Sequence, residues 1–165
     1  MSTFDDKILK LGNPKLHEVS VSVKKNEITE LEPVIKDLHG ILMDFRAKYN
    51  AGRAIAAPQI GVLKRLIYLN IDKPVVIINP ELYDKSEELM EIWDDCLCFP
   101  DLLVKVNRHK SCKIRFLDNN WNEQIWNLIG DLSELLQHEY DHLDGILATQ
   151  RAIDSRSFKL RSEGK

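Results

Sequence analysis

Seven apolar residues recur at intervals of three or four residues in the first third of the chain. This spacing places them on one face of an α-helix. Thr29 stands just before them, and a threonine hydroxyl can accept a hydrogen bond from an unpaired N–H group of a first helical turn. The pattern predicts a helix over residues 30 to 49, capped by Thr29, whose apolar face packs into a core. The seven are Leu31, Val34, Ile35, Leu38, Ile41, Leu42 and Phe45.

From residue 52 the pattern changes to short apolar segments separated by turn residues. Such segments are typical of β-strands, here mostly antiparallel, and Asp118-Asn119-Asn120 is a candidate turn between two of them. The segments are GRAIAAPQIG, RLIYLN, VVIINP, ELMEIW, LLVKV, CKIRFLD and EQIWNL.

A second helical pattern begins at Asp131, with Glu134 as a candidate capping-box partner three residues later. No repeat, low-complexity tract or linker interrupts the chain. The order of elements predicts an α+β fold with an N-terminal helix and with antiparallel strands packed around a C-terminal helix. We expect one domain over residues 1 to 165.

Composition narrows the classes of protein that fit this outline. The chain has 165 residues, of which 44% are hydrophobic, but no apolar run is long enough to span a membrane. Its start lacks the features of a secretory signal, so we expect a cytoplasmic location and no membrane association. Three cysteines, an odd number, argue against a disulfide framework and favour ligands or core residues. The net charge of −3 predicts no specific nucleic-acid binding.

The predicted second helix contains the stretch LLQHEYDHLDG, residues 135 to 145, in which two histidines flank a glutamate. His138 and His142 are four residues apart and therefore share one face of a helix. Two neutral imidazoles in this arrangement can bind one divalent metal ion, while Glu139 stays free to take a proton from water. The pattern indicates a metal site, for which no further ligand follows at metalloprotease spacing.

Cys96, within WDDCLCFP at residues 93 to 100, is the best candidate for a third ligand. A thiolate suits a borderline metal ion, and the residue falls on a predicted strand edge shortly before Pro100. The alternative is that Cys96 is a small buried apolar residue.

Three segments resemble, in order, the motifs of the peptide deformylases, which remove the formyl group from the N-terminal methionine of new bacterial and organellar proteins. They are the glycine-rich GRAIAAPQIG at 52 to 61, the cysteine motif DDCLC at 94 to 98 and the histidine motif QHEYDHLDG at 137 to 145. The segments ILKLGNPKL, 8 to 16, and VKVNRH, 104 to 109, are also similar to the family. The resemblance therefore extends over nearly the whole chain.

The resemblance implies a metal-dependent hydrolase that acts in N-terminal methionine processing during protein biosynthesis. Cys96, His138 and His142 would hold one divalent metal ion and leave a fourth position for water, as in catalytic sites. The family implies Fe2+ as the native ion. The residues themselves leave the metal open, because one thiolate and two imidazoles also accommodate Zn2+, Ni2+ or Co2+.

The resemblance also implies roles for residues beside the metal ligands. Glu139 would be the general base toward water and then the general acid toward the departing amine. Gln59 and the backbone N–H of Leu97 would stabilise the oxyanion of the tetrahedral intermediate. Arg108 would pair with Asp94 and steady the cysteine motif.

The implied substrate is an N-formylmethionyl peptide, and association with the ribosome is a related expectation. The segment from Gly52 to Ala56 would pair with the extended substrate as an added strand. The implied substrate-binding residues are Gly52, Arg53, Ala54, Ile55 and Glu134.

Several residues depart from the family pattern. Ala54 replaces the usual second glycine of the first motif, which adds a methyl group where substrate should approach. Asp95 replaces a glycine, and aspartate is among the better substitutes if that position needs a positive φ. Cys98 replaces a serine and is either a thiol beside the site or a buried filler residue.

Arg53 and Glu134 are charged where the family places the pocket for the first side chain, and an apolar residue is common at position 53. One interpretation is that Arg53 extends into solvent while Glu134 caps the helix. The other is that they pair across the pocket mouth, because two charges near an apolar pocket are costly unless matched.

Three functional hypotheses follow. The first is a working deformylase. The second is a related amidase whose altered pocket, with Arg53 and Glu134, prefers another N-formyl or short N-acyl substrate. The third is a non-catalytic peptide-binding homologue, which the complete set of implied catalytic residues argues against.

Overall fold

The computed structural model describes residues 4–164 and contains two α-helices and eight β-strands within them. This confirms the predicted α+β fold. The helices are α1 (Ile28–Tyr49) and α2 (Asp131–Leu143). The strands are β1 (Ala54–Ala56), β2 (Leu66–Asn70), β3 (Pro74–Tyr83), β4 (Leu89–Asp94), β5 (Leu102–His109), β6 (Ser111–Leu117), β7 (Glu123–Ile129) and β8 (Phe158–Leu160).

The strands form two sheets in which every pair of neighbours is antiparallel. One sheet has the order β1-β2-β3-β6-β7 and the other has the order β4-β5-β8. Helix α2 contacts β1, β2, β3 and β7 of the first sheet and β5 of the second. The helix that carries the histidine motif is therefore enclosed by strands of both sheets.

Helix α1 begins at Ile28, so the prediction of Thr29 as its N-cap is wrong. A short 3-10 turn at Lys25–Glu27 leads into the helix, and the Glu27 carboxylate accepts the backbone N–H of Lys24 at 2.7 Å. The predicted apolar face is confirmed by five of its seven residues, which are buried: Leu31, Leu38, Ile41, Leu42 and Phe45.

Helix α2 begins at Asp131 as predicted, but the capping box between Asp131 and Glu134 is absent. Gly130 occupies the cap position, and its backbone oxygen accepts the N–H of Glu134 at 3.0 Å. The Glu134 side chain points away from the helix end toward Arg53. Neither α1 nor α2 combines the length and the apolar composition of a membrane-spanning helix.

Candidate active site

Three potential metal ligands meet where α2 passes the end of β4. Cys96, His138 and His142 are all buried, and their ligand atoms lie within 4.8 Å of one another. Nε2 of His142 is 3.2 Å from Nε2 of His138 and 3.3 Å from Sγ of Cys96. A thiolate and two imidazole nitrogens that converge within these distances can share one divalent cation. The residues therefore fit a metal ion.

Cys96 does not lie on a strand edge, which corrects the sequence prediction. Strand β4 ends at Asp94, the last residue that pairs with β5, and a turn follows at Leu97 and Cys98. The end of pairing lets the chain turn toward α2, so that Cys96 reaches the two histidines.

Asp94 and Arg108 support His138 on the side of its ring that faces away from His142. Nδ1 of His138 donates to Oδ2 of Asp94 at 2.8 Å, and Nη2 of Arg108 donates to the same oxygen at 2.9 Å. Burial alone would lower the pKa of His138, but the adjacent Asp94 carboxylate outweighs it and raises the pKa to about 9. Burial and the neighbouring His138 hold the pKa of His142 well below its usual value, which keeps that imidazole neutral.

The Arg108 guanidinium joins this group to a second carboxylate that the sequence analysis missed. Nη1 of Arg108 donates to Asp141 at 2.6 Å, and Asp141 also accepts two hydrogen bonds from Arg151. Asp141 lies within the histidine motif, three residues after His138. This location is the only feature of the sequence that could have indicated that Asp141 lies near the site. Arg151 carries no such signal.

Glu139 is buried beside the metal ligands, with a carboxylate oxygen that has no hydrogen-bond partner within residues 4–164. Burial raises its pKa to about 7, although the neighbouring His138 partly opposes the shift. A carboxylate with a pKa in this range can both accept and release a proton near neutral pH. The unpartnered oxygen is available for a bound molecule.

Gln59 is held so that its amide nitrogen faces the cysteines. Its Oε1 accepts the backbone N–H of Ala56 at 2.8 Å. Nε2 then lies 3.4 Å from Sγ of Cys98 and 3.6 Å from Sγ of Cys96. The N–H of Leu97, in the adjacent turn, has no acceptor within the described part of the chain. Two donors thus border the same site.

Strand β1 forms the edge of its sheet and pairs only with β2 among the described residues. The Arg46 guanidinium fixes the preceding loop by donating twice to the backbone oxygen of Gly52, at 3.0 and 3.1 Å. Ile55 is fully buried, and Ala54 packs in the apolar cluster that includes Leu135 and Leu136 of α2. The Ala54 methyl group is therefore largely buried in the core.

Arg53 and Glu134 form an ion pair, as the second interpretation predicted, with Nη2 of Arg53 2.7 Å from Oε1 of Glu134. The Arg53 side chain is 37% exposed and that of Glu134 only 10%. Burial raises the pKa of Glu134 even though Arg53 opposes the shift. The pair borders a cavity of about 40 Å³ that also contacts Cys96, His138 and Glu139.

The remaining departures from the family pattern have structural partners. Asp95 does not have a positive φ, and its carboxylate accepts a hydrogen bond from Arg161 at 2.9 Å. Cys98 is buried beside Gln59.

Comparisons with known proteins identify the family of the chain. The polypeptide deformylase family model matches residues 5–158. The chain is 35% identical to a peptide deformylase of Pseudothermotoga lettingae over 95% of this chain and 88% of that protein. It is 34% identical to peptide deformylase 1 of Prochlorococcus marinus over 94% of this chain and 85% of that one.

Solved structures give the same result. A peptide deformylase from Synechococcus elongatus in complex with actinonin has a TM-score of 0.82 and 28% identity, covering 90% of this chain and 79% of that one. An Acinetobacter baumannii peptide deformylase with Met-Ala-Ser bound has a TM-score of 0.75 and 28% identity, covering 87% of this chain and 96% of that one. The chain therefore belongs to the polypeptide deformylase family.

Proposed function

We propose that this chain is a metal-dependent peptide deformylase that removes the N-formyl group from the N-terminal methionine of newly synthesised proteins. The observation that carries the proposal is the meeting of Cys96, His138 and His142 beside the unpartnered carboxylate oxygen of Glu139. Hydrolysis breaks the bond between the formyl carbon and the amide nitrogen. The water oxygen leaves in formate, and the peptide keeps a free α-amino group.

Cys96, His138 and His142 would hold the metal ion, which supplies Lewis-acid activation of the attacking water. Fe2+ is the ion implied by the resemblance to the family. The donor set of one thiolate and two imidazoles also accommodates Zn2+, Ni2+ and Co2+.

Glu139 takes the proton from the attacking water and later delivers it to the departing amine nitrogen. Its pKa of about 7 suits both transfers near neutral pH. Gln59 Nε2 and the N–H of Leu97 donate to the oxygen of the formyl group as negative charge develops on it. Because Ala56 already orients the Gln59 amide, little reorganisation is needed during the reaction.

The edge of β1 that pairs with no other described strand supports the binding of an extended peptide as an added strand. The peptide bound to the Acinetobacter baumannii relative supports the same substrate class here. Within this proposal, Gly52, Arg53, Ala54, Ile55 and Glu134 contact substrate. We further propose that residues 1 to 165 act as a single catalytic domain in the cytoplasm and associate with ribosomes that release the substrate.

A related amidase with another N-formyl or short N-acyl substrate is the second candidate. The ion pair of Arg53 and Glu134 favours it, because it places two charges beside the cavity at the reacting centre. A non-catalytic peptide-binding role is disfavoured by the buried set of Gln59, Cys96, His138, Glu139 and His142.

The test is formate release from a formyl-methionyl peptide by protein purified without oxygen and loaded with Fe2+ or Ni2+. We expect Glu139→Ala to retain the metal ion and to lower kcat by about 100- to 10,000-fold. Glu88→Ala, at a carboxylate whose side chain is 67% exposed, is the control and should keep full activity. Undiminished release in Glu139→Ala would contradict the assigned base. No release by metal-loaded wild type would overturn the proposed function.

A further inference from the structure

We propose that Arg53 and Glu134 form the polar end of the pocket for the first side chain and favour a side chain that ends in a carboxamide. Such a side chain would be processed faster than an apolar one of the same length. The inference rests on the proposed deformylation and concerns the substrate choice of that same site.

The chemistry of the reaction places the first side chain beside this pair. In an N-formyl peptide the formyl carbon is bonded to the amide nitrogen, which carries the Cα of the first residue. The Cβ of that residue is therefore only three bonds from the reacting carbon. The cavity that contacts Cys96, His138 and Glu139 is also bordered by Arg53 and Glu134. A side chain that starts at the reacting centre has to extend along this cavity.

The cavity itself is small, and the ion pair also borders a second cavity, of about 410 Å³, that Ile92 and Trp93 line. The first cavity has a volume of about 40 Å³, whereas one water molecule needs roughly 10–15 Å³ on the same measure. A metal ion held by Cys96, His138 and His142, the attacking water and the formyl group would occupy part of this space. Because Arg53 and Glu134 border both cavities, a side chain of methionine length that extends from the first toward the second contacts the ion pair.

The ion pair has hydrogen-bonding capacity left on both partners. A single hydrogen bond joins Nη2 of Arg53 to Oε1 of Glu134. Within residues 4–164, the other guanidinium N–H groups of Arg53 have no acceptor and Oε2 of Glu134 has no donor. Arg53 lies on the chain just before β1, and Glu134 lies on the first turn of α2, so both are fixed by packed elements.

A primary carboxamide matches this surface. Its oxygen can accept from Arg53 while its NH2 group donates to Glu134. An apolar end group would displace water from the two charges without replacing its hydrogen bonds, which is unfavourable. An anionic end group would meet Glu134. A cationic one would meet Arg53, and the nearby Asp94 and Asp95 already accept hydrogen bonds from Arg108 and Arg161. An uncharged group with both an acceptor and a donor is therefore the best complement.

The test compares three formyl peptides that differ only in the first residue, which is glutamine, methionine or norleucine. We expect wild-type kcat/KM to be highest for glutamine and lowest for norleucine, with a ratio of about tenfold, the effect of one hydrogen bond to a charged group. In Arg53→Met/Glu134→Leu this ratio should fall by about tenfold or more, because the polar surface is replaced by an apolar one.

The matched control is Arg115→Met/Glu81→Leu, which removes an ion pair whose side chains are 47% and 64% exposed and lie on β6 and β3. The ratio of kcat/KM for the glutamine peptide to that for the norleucine peptide should be the same in this control variant as in wild type. A wild-type preference for norleucine over glutamine would overturn the inference, whether or not the double variant folds. So would an unchanged ratio in an active Arg53→Met/Glu134→Leu enzyme. No formate release from any of the three peptides by wild type would instead overturn the proposed function, and the inference with it.

Discussion

The Oδ2 atom of Asp94 lies 2.8 Å from Nδ1 of His138, on the side of the imidazole opposite the candidate metal site. The hydrogen bond fixes the orientation of the His138 ring, because its Nδ1–H is donated to the carboxylate. Nε2 is then left to face His142. A histidine ligand held in this way needs no reorientation to bind a metal ion.

Asp94→Ala should therefore weaken metal binding by about 10- to 100-fold, the usual effect of removing such a support. Competition with a chelator that reports free metal ion would measure the change. Asp84→Ala, at an exposed carboxylate that pairs with Lys113, should bind the metal ion as tightly as wild type. Equal affinities in all three proteins would show that Asp94 does not support the ligand.

Gln59 offers a test of the proposed oxyanion donor. Gln59→Glu keeps an oxygen that can accept the N–H of Ala56 but removes the NH2 donor that faces the cysteines. We expect kcat to fall by about 100- to 1000-fold, as when one such donor is lost. Steady-state formate release would measure kcat and KM separately. A change confined to KM would indicate that Gln59 binds the ground state and does not stabilise the oxyanion.

Arg108 and Arg151 contact the same carboxylate, Asp141, from very different environments. The Arg108 side chain is 3% exposed and that of Arg151 is 43% exposed. Arg108→Leu leaves Asp94 and Asp141 buried without this partner, so the free energy of unfolding should fall by about 3–5 kcal/mol. Arg151→Leu should cost about 1 kcal/mol or less, since its ion pair is screened by solvent. Urea denaturation would measure both, and equal losses would contradict the argument.

Local spacing explains which parts of the site were predictable. His138 and His142 are four residues apart on one helix, so their pairing follows from helical geometry. The other strand segments and the turn at residues 118–120 follow from alternation and turn residues in the same way. GRAIAAPQIG forms a strand only at Ala54–Ala56 and continues as a 3-10 helix at Ala57–Ile60, where Pro58 lies. The roles assigned to Gln59 and Leu97 came from family resemblance and stay predictions, although both residues border the site.

Contacts between distant residues were not predictable from local pattern. Glu134 follows Asp131 at capping-box spacing, yet its side chain pairs with Arg53, which is 81 residues away in sequence. A local hydrogen bond and a long-range ion pair compete for the same carboxylate, and only the packing of β1 against α2 decides between them. The contact between Arg108 and Asp141, 33 residues apart, was missed for the same reason.

Gly145 fixes the position of the helix that carries the histidines. It follows α2 with a φ of +72°, and a Cβ added there would lie 2.6 Å from the carbonyl carbon of His17 and closer still to its oxygen. The same N-terminal segment is held to the helix end by the N–H of Ser20, which donates to the backbone oxygen of Leu143 at 2.8 Å. A side chain at Gly145 would push these two backbones apart.

Gly145→Ala should therefore destabilise the protein through both backbone strain and a steric clash. Gly61→Ala is the matched control, because Gly61 has a φ of +80° but its added Cβ would meet only a Leu9 methyl group at 3.9 Å. The strain alone costs roughly 1–2 kcal/mol in the control, and the clash should add about 1–3 kcal/mol at Gly145. Urea denaturation of the two variants would measure the difference. If Gly61→Ala were as destabilised as Gly145→Ala, backbone strain alone would explain both, and the close contact with His17 would have no role in holding α2.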